Sequence, residues 1–374
     1  MRIVIIGPVY PFRGGIAYFT GCLYRELVSQ SHQTLLINFK NQYPPLIFPG
    51  KSQTERDSSF TDIPSVRILT PYNPFTFKKT LQKIWSFKPN LVCFSFFLPF
   101  FIPAYQYLIK RLKKRKIRTM ILAHNIEFHE HWAFGKLFAG KLLKASDLIL
   151  TLSETVYQDA LNLVGKSATR VIKGFHPLYE FHNHHLYTKE KAKETLGLQE
   201  KRIILFFGYI KPYKGVDLLI KSFPLLKKKI PEAALLIVGE IYGNRKFYKE
   251  LIEQTGEGKD IMLIDEYIGS TDVELYFKAA DVLVLPYRQA TQSGVLQTAY
   301  VMDLGVVVSP VGSLPDMILP KKTGVVAKSL SEEDLANAIE HFFTLDTSTI
   351  KQNIHEYRTN YSWEKLVPLM VDNS

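Results

Sequence analysis

Apolar runs about the length of a strand alternate with longer stretches of helical period along the whole chain. The first half reads "RIVIIG", "GGIAYFTGCLYRELVSQ", "TLLINF", "VRILT", "NLVCFSFF", "TMILAH" and "LILTLS". Continuous apolar runs separated by amphipathic segments predict a parallel sheet covered on both faces by crossover helices. The alternation restarts at Arg202 with "RIILFFG", "VDLLIKSFPLLKKKI", "ALLIVG", "IMLI", "DVLVLP" and "VVVSPVG". This predicts an α/β protein of two doubly wound, Rossmann-like parallel-sheet domains facing across a cleft, residues 1–180 and 181–355. The polar, histidine-rich stretch "FHPLYEFHNHHLYTKEKAKETLG" holds the boundary, near Tyr179 to His185. Residues 356–374 form a last helix that can cross back to the first domain.

Two strand-to-helix loops share one pattern. "GPVYPFRG" (Gly7 to Gly14) and "GYIKPYKG" (Gly208 to Gly215) carry glycine, proline, an aromatic, a cation and glycine at the same offsets. In doubly wound sheets such loops lie at the carboxyl ends of strands, where ligands bind. Backbone N–H groups and a cation at a helix start suit phosphate, which makes Gly14, Gly15, Arg13, Lys211 and Lys214 candidate ligand contacts. Ordinary turn chemistry produces glycine- and proline-rich loops as well. G-x-G-x-x-G is absent from the first turn and GxxxxGK[ST] from the chain, which removes the main support for dinucleotide and P-loop sites.

Charge is divided unevenly. Residues 1–180 carry 24 Lys and Arg against 10 Asp and Glu, and residues 181–374 carry 23 against 25, so the net +12 belongs to the first half. That asymmetry points to an anionic partner there. Leu91 to Ile109 is uncharged and close to the length of a membrane span, but Pro99, Pro103 and a β-like first half favour a buried strand followed by a helix. After it, "KRLKKRKIR" holds seven cations in nine residues, Lys110 to Arg118. Lys113, Lys114 and Arg115 are therefore candidates for an acceptor or an anionic membrane surface at the inner face of the cell membrane. The opening "MRIVIIGP" is too short for a signal-peptide core, and two cysteines make no disulfide framework, so a cytoplasmic location is expected. No nucleic-acid motif is present, and none is expected as a partner.

His124 ends the run "TMILA", where a strand would meet the ligand edge; a satisfied core histidine has the same appearance. His129 and Glu130 are candidates for acceptor contact. The group His124, Glu127, His129, Glu130 and His131 matches no zinc spacing, no DxD lies between apolar runs, and no metal or other cofactor is expected.

The segments "FFGYIKPYKGVDLLIKSF", "ALLIVGE", "AADVLVLPY", "QSGVLQTAYVMDLGVVVSPVGSLPD" and "GPVYPFRGGIAYFT", with "LAHN" in the middle, resemble the retaining GT-B glycosyltransferases of family 4, the glycosyl transferases group 1 type. The resemblance covers nearly the whole chain and is strongest in the second half. It implies a nucleotide-sugar donor in the second domain and a glycan or lipid-linked acceptor in the first. It further implies metal-free transfer in polysaccharide biosynthesis, with the leaving phosphate oxygen accepting the acceptor's proton. Lys214 then takes the family's pyrophosphate lysine position, and His124 that of the histidine beside the transferred sugar. Tyr267 and Ile268 lie where the base is held. Three positions depart from the pattern. Tyr209 stands where arginine is common, with Lys211 as substitute, while Gln292 and Tyr300 stand where two glutamates eight positions apart meet the sugar and ribose. The start of the helix remains, with N–H groups of Ser293, Gly294 and Val295 and no carboxylate beside a diphosphate. Gln292 can still hydrogen-bond sugar hydroxyls. A degenerate scaffold that binds a nucleotide sugar or a partner, and an epimerase or hydrolase of the nucleotide sugar, are the alternatives; the latter needs a carboxylate pair that is not evident.

Overall fold

The computed structural model describes residues 1–43, 52–54, 60–126, 135–290, 293–318 and 322–373, residues 135 and 136 by backbone alone. The described chain divides into two units, Met1–Pro177 with Ser362–Ser374, and Leu178–Tyr361.

In the first unit the order is β1 (Arg2–Ile6), α1 (Gly15–Ser29), β2 (Gln33–Phe39), β3 (Val66–Leu69), α2 (Phe75–Phe87), β4 (Leu91–Phe96), α3 (Ile102–Lys113), β5 (Arg118–Ala123), α4 (Gly135–Ala145), β6 (Leu148–Thr151), α5 (Glu154–Val164) and β7 (Arg170–Lys173). The seven strands lie parallel in the order β3-β2-β1-β4-β5-β6-β7. Every residue of β4 is buried, as a central strand covered on both faces requires. The uncharged run from Leu91 is thus β4, one tight turn at Pro99–Phe101, and α3, where Pro103 sits in the first turn and needs no N–H. No described helix is long and apolar enough to cross a membrane.

The second unit contains α6 (Lys189–Thr195), β8 (Arg202–Phe207), α7 (Val216–Lys229), β9 (Ala233–Val238), α8 (Arg245–Gln254), β10 (Ile261–Ile264), α9 (Val273–Ala279), β11 (Val282–Leu285), α10 (Gly294–Val301), β12 (Val306–Val308), α11 (Leu314–Ile318), β13 (Gly324–Val326), α12 (Glu332–Thr344) and α13 (Thr347–Asn360). Its six strands are parallel in the order β10-β9-β8-β11-β12-β13. Each order reverses once, between β1 and β4 and between β8 and β11. Those are the topological switch points at which doubly wound sheets bind ligands.

The units divide at Pro177–Leu178, three residues from the expected place, and the second unit ends six residues later than expected. The polar stretch after Pro177 is pinned rather than slack: the buried Glu274 carboxylate in α9 accepts the N–H groups of His184, Leu186 and Tyr187 at 2.7–3.1 Å, and buried His182 reaches the Ser270 carbonyl. Its composition is that of a linker, but its backbone donors have a buried acceptor. At the other end α13 runs unbroken past residue 356, so the chain leaves the second unit at Tyr361. The final helix α14 (Trp363–Val371) belongs to the first unit, with Trp363 edge-on to Phe19 of α1 at 4.8 Å and Leu366, Val367 and Met370 buried.

Removal of residues 362–374 uncovers those three side chains, at about 1.5–3 kcal/mol each. We expect the truncated chain to lose hydrogen-exchange protection in β1–β7 while β8–β13 keep theirs; equal loss in both sheets would show that α14 supports the second unit too.

Candidate functional site

Four loops converge at the carboxyl edge of the second sheet, and glycines set how closely. Gly215 has φ +67°, and a Cβ there would lie 1.9 Å from the Pro286 carbonyl oxygen, so only glycine lets the loop after β8 rest on the end of β11. Gly239, after β9, is equally close to Gly208, and Gly312 to Ala290. These contacts bring together segments that the sequence holds tens of residues apart.

Arg288 locks the first two loops. Its guanidinium meets the Asp217 carboxylate two-pronged at 2.7 and 2.8 Å and the Pro212 carbonyl at 2.9 Å, and its N–H donates to the Tyr213 carbonyl. A planar fork suits this grip. Arg288 holds the Asp217 carboxyl below its usual range against the opposing effect of burial.

Lys214 ends the short turn Pro212–Lys214 held by that clamp. Its ammonium lies 3.6 Å from the centre of the Tyr287 ring, which is almost fully buried. No described carboxylate pairs with it, and burial lowers its pKa from the usual lysine value. An ammonium on an aromatic face keeps its charge and keeps donors for a further anion. Ser293 begins α10 beside it, its hydroxyl accepting the Leu296 N–H, while the first-turn N–H groups of Gly294 and Val295 lack partners within the helix. Val295 packs against Gly208. On the other side of β8, Tyr209 stacks on Tyr267 at 6.1 Å and meets Tyr242 edge-on at 4.9 Å, with the Lys211 ammonium 5.2 Å from the Tyr242 ring. Ile268 packs half-buried against the core. Lys214, Ser293, Gly294 and Val295 therefore gather at the switch point, whereas Lys211, Tyr209 and Tyr267 form an aromatic cluster two strands wide beside it.

Tyr300 does not reach this edge. It is fully buried, its hydroxyl 2.5 Å from Thr323 Oγ1 and its ring against Tyr357, so it cannot take the place of a ribose-binding glutamate. Gln292, His129 and Glu130, with Glu127 and His131, lie outside the described residues. Among the described residues no group of three or more His, Cys, Asp or Glu is placed to hold a metal ion.

In the first unit, Gly14 caps α1 at φ 101°, Gly15 opens that helix, and the Arg13 N–H donates to the Gln53 carbonyl. Asn38, a buried amide in the apolar strand β2, holds this loop by bonding the carbonyls of Val9 and Tyr10. His124 follows β5 at the expected edge, but it is 3% exposed, with Nε2 2.9 Å from Ser95 Oγ and Phe19 edge-on at 4.8 Å. Its ring nitrogen is engaged by a protein hydroxyl, which is the packed-histidine arrangement. The basic run lies at the opposite end of the sheet. Lys113 pairs with Asp147 at 3.0 Å, Arg115 lies over Trp85 at 3.9 Å, and Arg118 starts β5. A strand of six residues spans about 20 Å, so Lys113, Lys114 and Arg115 do not share a site with His124.

Sequence reasoning missed Tyr287, Arg288, Asp217 and Ser95. Arg288 had a signal, being the one charge in "YRQATQSGVLQTAY", as had Ser95, a lone hydroxyl in the apolar β4. Tyr287 had none, since an aromatic after a buried strand reads as core.

The architecture has known counterparts. HepE of Anabaena, solved with UDP, superposes with a TM-score of 0.76 at 15% identity, covering 100% of this chain and 99% of that one. Sucrose-phosphate synthase of Thermosynechococcus elongatus gives 0.74 at 17%, covering 99% and 97%. The protein thus has the GT-B fold, two Rossmann-like domains in one chain. Residues 188–360 match the family described as Glycosyl transferases group 1, so the second unit is a domain of that family. Among curated relatives, D-inositol 3-phosphate glycosyltransferase of Pseudarthrobacter chlorophenolicus is 29% identical over 158 residues, 41% of this chain and 38% of the relative. Spore coat protein SA of Bacillus subtilis is 22% identical over 206 residues, 52% and 54%. The chain spans about half the length of the curated relatives it matches.

Three buried histidines make stability depend on pH. Burial holds His124 down at about 3, helped by His176, and His176 and His182 at about 4. Below the ordinary value of 6.5 the unfolded chain binds protons that the folded chain refuses, so stability is complete above it and falls as pH drops toward 4. Between pH 7 and 5 each histidine costs about 2 kcal/mol. The urea midpoint should therefore fall over this interval, and less in His176→Gln; identical falls would show that His176 folds already protonated.

Proposed function

We propose that this protein is a retaining glycosyltransferase. It moves a sugar from a nucleoside diphosphate, held by the second unit, to a glycan or lipid-linked acceptor recognised by the first, at the cytoplasmic face of the membrane. The observation that carries this reading is the Lys214 ammonium seated on the Tyr287 ring beside the start of α10. Departure of a nucleoside diphosphate builds negative charge on its outer phosphate, and fixed cations and helix N–H groups stabilise that charge without reorganising. Lys214 supplies the charge, Gly294 and Val295 the N–H groups, and Arg288 holds the lysine's loop through Asp217. In this reading no metal is required. The leaving phosphate oxygen takes the acceptor hydroxyl's proton as the new glycosidic bond forms on the face the phosphate leaves.

The UDP-bound structural neighbour and the family of the second unit support the donor class. The aromatic group Tyr209, Tyr242 and Tyr267 offers ring faces on which a base can stack. His124 we assign to shaping the first unit's ligand edge through Ser95. Tyr300 we assign to packing, and sugar recognition at the helix start to Gln292. The exposed cations of Lys110 to Arg118 suit an anionic membrane surface at the amino ends of the strands.

The test is a thermal-shift panel of UDP, GDP, ADP, dTDP and NAD with and without magnesium, followed by turnover with the nucleotide sugar of the responding base. A ligand at about 100 times its Kd stabilises by roughly 2.7 kcal/mol. One nucleoside diphosphate should shift the melt without metal. Lys214→Ala should lower kcat by about 100-fold with the fold intact, the size of one lost charge-stabilising group. A silent panel, or near-normal turnover in the variant, refutes the assignment.

A further inference from the structure

We infer that the first unit carries a separate saccharide site for an anionic sugar, in the groove between the end of β2, β3 and the start of α2. The groove has a volume of about 580 Å³, and Lys40, Arg67, Phe75 and Lys79 line it, with no acidic residue among the described residues of its walls. This goes beyond the glycosyl-transfer reading, on which it rests for the nature of its ligand.

The charges are the first observation. Several cations elsewhere in the chain are matched: Lys113 by Asp147, Lys189 and Lys193 by Asp281, Lys201 and Lys227 by Asp260. Lys40, Arg67 and Lys79 are exposed and make no ion pair with a described residue. Arg67 is nonetheless held in place, donating to the carbonyls of Phe39 and Lys40 and lying 5.7 Å over the Phe12 ring. Three like charges in one concave wall repel each other and raise the local potential for anions, an arrangement that an anionic ligand relieves.

Phe75 is the second. It is the first residue of α2 and is 92% exposed, while Phe77 of the same helix is buried. Asn73 fixes its backbone by accepting the Phe75 N–H at 3.1 Å. Tyr72, 40% exposed, stands next to it with its hydroxyl directed to the Tyr43 carbonyl. A ring held out in water beside unpaired cations matches a ligand that has both an apolar face and a negative group. A uronic acid or a phosphorylated sugar has both, the pyranose ring for Phe75 and the acid for Lys40 and Lys79.

Position is the third. Lys40 follows the carboxyl end of β2, and Phe75 follows that of β3, on the same edge as the Gly7–Gly14 loop. Four strand spacings separate β3 from β5, about 19 Å. The groove therefore lies well away from His124, and under the proposed function it grips a part of an extended acceptor and governs which acceptors are held rather than how the donor binds.

The full-length protein and a fluorescently labelled tetramer of galacturonic acid test this at low salt. We expect the tetramer to bind, maltotetraose not to bind, and Lys40→Gln/Lys79→Gln to weaken binding by at least about tenfold and Phe75→Ala by about fivefold, the scale of a lost charged contact or stacked ring. Both variants should keep the wild-type nucleotide-induced melting shift. Equal affinity in the wild type and the double lysine variant overturns the site. An unchanged Phe75→Ala, or displacement of the tetramer by equimolar inorganic phosphate, reduces it to plain charge attraction and also overturns it. Phosphatidylglycerol vesicles bound through these residues in preference to the tetramer would replace the saccharide with a lipid surface. Tetramer binding with a silent nucleotide panel would instead remove the glycosyl-transfer reading and leave the groove standing.

Discussion

An ammonium 3.6 Å from the centre of a buried tyrosine ring has given up part of its hydration without gaining a carboxylate. That single contact sets the terms for the site around it. A carboxylate partner would have neutralised Lys214 and repelled a diphosphate; a ring face attracts the cation while adding no charge of its own. The arrangement holds only if Tyr287 stays in the core and the turn bearing Lys214 stays against the end of β11. Gly215 allows the approach and Arg288 secures it through Asp217, so one cation fixes the conformation that lets another remain available.

The same economy of charge appears across the sheet edges. The second unit holds four of its lysines on Asp260 and Asp281 and leaves Lys214 without a described carboxylate at the switch point. The first unit carries exposed cations at both ends of its strands, Lys40, Arg67 and Lys79 at one and the run from Lys110 to Arg118 at the other. The net charge of a half-chain therefore says little about where an anion binds. Direction along the strand decides it, and direction is a property of topology.

Topology was the most legible part of the sequence, because parallel strands buried on both faces must be continuously apolar. Both sheets, the switch-point loops and Lys214 follow from that rule and from the paired glycine-proline loops. Composition and hydrogen bonding disagree at the boundary: "FHNHHLY" looks like a linker, but Glu274, about ninety residues later, takes its N–H groups. His124 read equally as a ligand-edge residue or a packed histidine, because its neighbour across the sheet, Ser95, was hidden in an apolar run. The family resemblance put Tyr300 where a ribose-binding glutamate is common, while helix α10, eight residues long, turns that position inward toward Thr323. In each case the deciding partner was distant in sequence and ordinary in type.

The return of the chain at Ser362 bears on synthesis. The ribosome releases every strand of the first sheet before it begins the second unit, yet Trp363 and the buried face of α14 emerge only after that unit is complete. Until then Phe19 and the outer surface of α1 lack their cover. Domains as a rule fold in the order they are made; here the domain begun first is finished last, and its incomplete face must wait, exposed, through the translation of the whole of the other.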